Sequence, residues 1–231
     1  MGFRFDDEAP CRIGLVNRRL DGPVRWFDID PCWVWHTLCA WDDRDEVVLW
    51  AARIGSPTRV DKHGRSLEDL PMIDDEYRFD SHPHEWRFNL ATGRVSERQL
   101  DDALVEFPRV NDANICSGAR YGYFAEIGRD HRTLKTEALL KYDLTTGSCD
   151  RIAMPDGWYA NEPCFAARPN AAGEDDGWVL SYVTSQDDGR SELWILDAPT
   201  FDPEPVARVV LPQRKPQGFH TRWVPTSAIG H

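Results

Sequence analysis

Three segments of this chain repeat one pattern at a fixed interval, and that interval constrains the fold more than any other feature of the sequence. Trp86-Arg87-Phe88-Asn89-Leu90-Ala91-Thr92-Gly93 is echoed by Leu140-Lys141-Tyr142-Asp143-Leu144-Thr145-Thr146-Gly147 and, without the Thr-Gly turn, by Leu193-Trp194-Ile195-Leu196-Asp197-Ala198-Pro199-Thr200. The step from Asn89 to Asp143 equals the step from Asp143 to Asp197. Each copy reads as an alternating apolar strand, a turn opened by Asn or Asp, and a second strand such as Pro205-Val206-Ala207-Arg208-Val209-Val210-Leu211. Asn and Asp suit such turns because their side chains bond nearby backbone and tolerate left-handed conformations. A period of roughly 50 residues or slightly more, built from short strands, predicts an all-β fold of the β-propeller type, one blade per period. At that rate the 231 residues hold about four blades in a single domain over 1–231.

The remainder of the chain agrees with short strands and many turns. Val24 to Pro31, Cys32 to His36 and Glu46 to Ile54 read as strands, the last apolar on both faces and so buried between neighbours. Residues 55–82 read as a long surface loop with a helical turn at Ser66 to Leu70. Ten Trp and ten Phe supply buried area, and 16 Gly with 16 Pro supply turns. The net charge of -12, with no basic stripe, excludes a nucleic-acid partner and attachment to anionic lipid. No run of about 20 apolar residues is present, so no transmembrane segment is expected. Met1 to Glu8 lacks a signal-peptide pattern. The six cysteines form no Cys-x-x-Cys pair and read as small residues in a reducing compartment, which places the chain in the cytoplasm.

Candidate functional residues keep nearly the same step as the repeat. Glu106 precedes Phe107-Pro108, Glu162 precedes Pro163-Cys164-Phe165, and His220 lies in Pro216-Gln217-Gly218-Phe219-His220-Thr221-Arg222-Trp223. Glu162 follows Glu106, and His220 follows Glu162, by little more than one period. His36 precedes Glu106 by a wider gap, the excess matching the loop at 55–82. The innermost strand of a propeller blade faces the axis, so residues recurring once per blade on that strand are expected to converge, with His220 on or beside it. By themselves His220 reads equally as a core histidine, and each Glu as a carboxylate bonding amides at a strand end. His82 and His84 flank Pro83, which disfavours a regular strand there, and read as a polar strand entry. His63, His131 and His231 read as solvated, and the run Glu174-Asp175-Asp176 as a solvated turn.

Taken in order, these motifs resemble the carotenoid cleavage oxygenase family, including its lignostilbene-cleaving branch. The resemblance runs through Trp33-Val34-Trp35-His36-Thr37-Leu38-Cys39-Ala40-Trp41-Asp42-Asp43, Glu106-Phe107-Pro108-Arg109-Val110-Asn111, Arg120-Tyr121-Gly122-Tyr123, Glu162-Pro163-Cys164-Phe165, Glu174-Asp175-Asp176-Gly177-Trp178-Val179-Leu180-Ser181, Ser191-Glu192-Leu193 and Gly218-Phe219-His220. It departs at Cys39, where the family often has Asn. The resemblance implies a seven-bladed propeller carrying Fe(II) on its axis. Four histidines hold that ion, and glutamates hydrogen-bond three of them. It makes His36 and His220 two of the metal ligands, and Glu106 and Glu162 two of the supporting carboxylates. It implies O2 and a small lipophilic conjugated alkene as partners: a carotenoid, apocarotenoid or stilbene-type substrate, cut at one C=C bond into aldehydes or ketones. Family members are roughly twice as long. The other two histidines lie in a half without counterpart here, so the expectation is a truncated oxygenase whose missing ligands a separate chain could supply. The competing expectation is a non-catalytic propeller-like binding module or an inactive gene fragment.

Overall fold

The computed structural model describes residues 6, 8–55, 80–128, 135–216 and 218–229. Most of the loop expected at 55–82, and the helical turn at Ser66 to Leu70, lie outside them. The described chain is almost entirely strand and turn. A ribbon pairs β1 (Cys11–Leu15) with β2 (Arg25–Ile29). Next comes a four-stranded antiparallel meander of β3 (Trp33–Asp43), β4 (Glu46–Ile54), β5 (Ser81–Asn89) and β6 (Val95–Gln99). A second meander follows with β7 (Val105–Arg109), β8 (Tyr121–Ile127), β9 (Thr136–Asp143) and β10 (Cys149–Ala153). The short β11 (Trp158–Ala160) leads to a third, of β12 (Cys164–Ala167), β13 (Gly177–Ser185), β14 (Ser191–Asp197) and β15 (Ala207–Val210). Each meander is the blade that the sequence repeat calls for. The described residues thus form three complete blades and a two-stranded ribbon, and none of the sheets closes on itself.

The chain divides into two compact units, one running to Leu104 and the other comprising the described residues from Val105 onward. In the first unit, Phe27, Ala51, Trp86 and Phe88 form the core, with Ile13, Leu15 and Leu49 packed against it. The central strand β4 buries Val48, Trp50, Ala51, Ala52 and Ile54, as expected of a strand apolar on both faces. In the second unit, β11 pairs with β13 at Trp158 to Ala160 and with β9 at Ala160–Thr136, so two blades join in one nine-stranded sheet. Their core is common to both: Tyr123, Leu139 and Ile152 pack with Phe165, Val179, Val183, Trp194 and Leu196.

The repeated turn recurs in atomic detail. Asn89 Oδ1 accepts from the N–H groups of Ala91 (3.1 Å) and Thr92 (2.8 Å), and Asp143 Oδ1 from those of Thr145 (2.9 Å) and Thr146 (3.2 Å). Asp197 Oδ2 accepts from the N–H (3.3 Å) and hydroxyl (3.0 Å) of Thr200. The fifth position donates back to the first carbonyl at Gly93, Gly147 and Phe201 (2.9, 2.7 and 2.9 Å). All three adopt positive φ, at 74°, 76° and 46°. That geometry is a hairpin turn ending in a left-handed residue, which glycine adopts without steric cost.

Two sequence expectations are corrected. His82, Pro83 and His84 lie inside β5 rather than at its entry, with Pro83 opposite Ala52. His82 Nδ1 lies 3.1 Å from the Ala103 carbonyl, and His84 Nε2 lies 3.3 Å from Glu97 Oε2 with its ring 4.5 Å from that of Trp86. The run Glu174-Asp175-Asp176 is a structural clamp, not a solvated turn. The Glu174 carboxylate caps the N–H groups of Arg120 (2.8 Å) and Tyr121 (2.9 Å), Asp175 binds buried Lys141 (2.8 Å), and Asp176 binds Arg168 (2.8 Å).

Candidate functional site

The four candidate residues all stand at the opening strand of a blade or at the chain that returns beside it, and local irregularity sets each one. His36 is half-buried in β3 where pairing with β4 slips: Val34 faces Arg53 and Thr37 faces Ala51, so Trp35 and His36 together oppose Ala52. A bulge of this kind bends a strand and re-aims its side chains, and bulges gather near active sites. Cys39, in the same strand, is buried opposite Trp50.

β7 repeats the device. Glu106 faces Ala125 and Arg109 faces Tyr123, leaving Phe107 and Pro108 opposite Phe124. Phe107 takes φ 56°, a left-handed conformation that costs a bulky residue about 1–3 kcal/mol. Its amide donates to Glu106 Oε2 (2.8 Å), and both residues are buried. The ring of Phe107 lies edge-on to His220 at 6.3 Å and tilted against Phe219 at 6.4 Å.

Glu162 lies between β11 and β12 with its side chain 3% exposed. Its Oε1 accepts from Arg109 Nε (3.0 Å) and faces His220 Nδ1 at 3.3 Å, while Oε2 accepts from the Thr221 N–H. A carboxylate offers acceptors only, so a hydrogen bond here calls for a proton on Nδ1, and the neutral ring in that tautomer has its lone pair on Nε2. The His220 side chain is itself 58% exposed.

The segment carrying His220 is not the expected strand. Leu211 N–H still donates to the Ser191 carbonyl (2.9 Å), but the described residues from Pro212 to Pro225 belong to no strand, and side chains bond much of their backbone. Lys215 N–H donates to Ser191 Oγ (2.9 Å), Gly218 N–H to Asn161 Oδ1 (3.3 Å), and Trp223 N–H to Cys164 Sγ (2.9 Å). Pro216 and Gly218 break any ladder here, which is why period-based reasoning misplaced it. Burial pushes the Cys164 thiol up and the Lys215 ammonium down from their ordinary ranges.

Glu106, Glu162 and His220 all belong to the second unit, and of these Glu162 and His220 meet directly. His36 belongs to the first unit. Sequence reasoning missed Arg109 and Asn161 as parts of the site. Arg109 was findable: it precedes Glu162 by close to the repeat's own step, as the cation that ends the strand carrying Glu106. His63, His131 and His231 lie outside the described residues.

An imidazole whose Nδ1–H is given to a buried carboxylate is the usual form of a histidine that ligates a metal. Neutral imidazole is a suitable donor for Fe(II). The His220–Glu162 pair therefore fits one histidine ligand of such an ion. Among the described residues no group of three or more His, Cys, Asp or Glu is placed to hold a metal.

Comparison with known proteins bears on the family and the fold. A family model described as retinal pigment epithelial membrane protein matches residues 1–225. A carotenoid 9,10(9',10')-cleavage dioxygenase of Crocus sativus is 33% identical over 96% of this chain and 42% of its own length. A carotenoid cleavage oxygenase of Mycobacterium tuberculosis is 32% identical over 97% of this chain and 44% of its own. Among solved structures, cobalt-substituted Synechocystis ACO superposes with a TM-score of 0.80 at 26% identity, covering 94% of this chain and 44% of that one. The chain spans less than half the length of the relatives it matches.

Proposed function

The chain belongs to the retinal pigment epithelial membrane protein family, whose relatives include carotenoid cleavage dioxygenases, and on that premise we propose that it serves Fe(II)-dependent cleavage of a C=C bond in a carotenoid, apocarotenoid or stilbene-type substrate. The observation that supports the reading is the approach of His220 Nδ1 to the buried Glu162 carboxylate at 3.3 Å, the contact a metal-ligating histidine commonly makes. In this reading His36 and His220 are two of the histidine ligands. The ion, when bound, supplies the dioxygen chemistry that converts one C=C bond into two carbonyl groups.

The chain's own residues have separable tasks. Glu162 fixes the tautomer of His220 and holds the backbone that follows it. Glu106 supports its own blade's opening strand through the Phe107 amide. Phe107 and Phe219 give apolar surface beside His220, suited to a polyene and to the exclusion of water. The bulge at β3 aims His36.

The test is metal retention followed by turnover. Purified chain is loaded with Fe(II) without oxygen, dialysed and assayed for iron, then offered an apocarotenal or a hydroxystilbene with O2 while carbonyl products are followed. In a preparation that takes up iron, with the full ligand set completed, His36→Ala and His220→Ala are each expected to lose it, and Glu162→Ala to weaken its binding about 10- to 100-fold. Iron retention unchanged in His220→Ala removes the ligand assignment. A chain that takes up no iron and cuts no alkene fails the enzyme reading, which leaves a non-catalytic binding module or an inactive fragment.

A further inference from the structure

The described residues from Pro212 to Pro225 belong to no strand, yet they carry a histidine whose direction matters. One residue in it is gripped at both polar atoms of its backbone. The Thr221 N–H donates to Glu162 Oε2, and the Thr221 carbonyl accepts from a terminal nitrogen of Arg109 at 2.8 Å. The same guanidinium donates through Nε to Glu162 Oε1 at 3.0 Å. Arg109 thus binds the carboxylate with one donor and the next residue after His220 with another. These contacts join positions 109, 162 and 221, far apart in sequence.

We propose that Arg109 is the positioning residue for His220, a two-pronged clamp that sets the Glu162 carboxylate and the Thr221 peptide together and so fixes the ring. The inference rests on the metal-ligand reading for its functional consequence, not for its geometry. At 3.3 Å the bond between Nδ1 and Glu162 is long, so it does not hold the ring alone. Direction depends also on the backbone on which the ring is mounted, and that backbone is bonded on both sides at Thr221. A planar guanidinium presents rigid parallel donors to two acceptors at once; an ammonium at the end of a flexible stem does not. A lysine at 109 would keep the charge beside Glu162 and lose the second prong.

The experiment uses the full chain, metal-free and ¹⁵N-labelled. Long-range proton–nitrogen spectra report the tautomer of each imidazole, with His220 assigned by its disappearance in His220→Asn. Deuterium exchange of peptides spanning 218–224 reports how firmly the segment is held, and a thermal melt checks folding. The wild type is expected to show Nδ1–H at His220; Nε2–H there overturns the proposal before any variant is made. Arg109→Lys and Arg109→Gln are both expected to shift His220 toward Nε2–H. Exchange in 218–224 should accelerate roughly tenfold or more, the loss of one charge-assisted hydrogen bond. Retention of Nδ1–H and full protection in Arg109→Lys overturns the clamp, because charge alone then suffices. Should Arg109→Gln fail to fold, the wild-type and Arg109→Lys spectra still decide. Iron uptake by the wild type is measured separately. Uptake with unaltered His220 in both variants sinks the clamp and spares the metal reading; a tautomer shift in a chain that takes up no iron does the reverse.

Discussion

Buried carboxylates in this chain are stable because donors surround them, and Glu85 makes the sign of that effect measurable. Its side chain is 5% exposed, yet Oε1 accepts from Arg87 (3.1 Å) and Arg98 (2.9 Å), and Oε2 accepts from the Trp50 indole (2.9 Å). Burial alone pushes its pKa up, but the bonds from Arg98, Trp50 and Arg87 outweigh burial and leave it below the usual value of 4.5. A carboxyl with a depressed folded-state pKa stabilises the fold fully above its unfolded value and loses that contribution as pH falls through the folded one. Glu85→Gln is therefore expected to lower stability by about 1–3 kcal/mol at neutral pH. It should also flatten the decline of the thermal midpoint below pH 4.5, checked by melts from neutral pH down through the acid range. An unchanged acid limb would sink the assignment. At this scale the repeat's step singled out Glu106, Glu162 and His220 in the sequence, and the structure brings Glu162 and His220 into contact. The step marks Arg109 as well, but not its partners, and nothing marks Asn161; those roles come from contacts between distant parts of the chain that no local pattern encodes.

Elements were more legible than residues where one turn defines one blade. Asn89, Asp143 and Asp197 marked three hairpins from sequence, and each accepts from the backbone as its residue type predicts. The turn's last position separates conformational cost from packing. A Cβ added at Gly147, φ 76°, would meet nothing within 4 Å, so Gly147→Ala pays only for the left-handed backbone, about 1–2 kcal/mol. A lower urea midpoint at unchanged slope is the expected result; a neutral outcome would show that the turn relaxes out of its left-handed conformation. Phe201 occupies the same position in the third hairpin at φ 46° but is 5% exposed, its ring 6.3 Å from that of Tyr123. Core packing there replaces the freedom of glycine, and this is why the third copy lacked the Thr-Gly signature. The bulges in β3 and β7 were not legible, because a bulge changes register without changing the apolar pattern around it.

Within the second unit, the sheet makes two blades into one thermodynamic object. β11 pairs with β9 on one side and β13 on the other, and Ala160 within it sits in the same core as Leu139 and Val179. Separate cores would let each blade open by itself, as stacked repeats with small interfaces do. A shared core couples them, since a void on one side removes contacts from both. Leu139 in β9 is 1% exposed, and Leu139→Ala is expected to cost about 2–5 kcal/mol. The location of that loss is the sharper measurement. Amides of β13 and β14 should lose protection against deuterium exchange by the same free energy as those of β8 and β9, because the slowest exchange reports opening of the whole cooperative unit. Loss confined to β8, β9 and β10 would mean that β11 is a tether between independent blades. The coupling bears on the site as well. Glu162 follows β11, Arg109 ends β7, and their bond spans the two blades that the core unites. A unit that opens as a whole keeps that bond intact until global unfolding, so exchange at Thr221 in the wild type should be limited by the same opening as the core of β13.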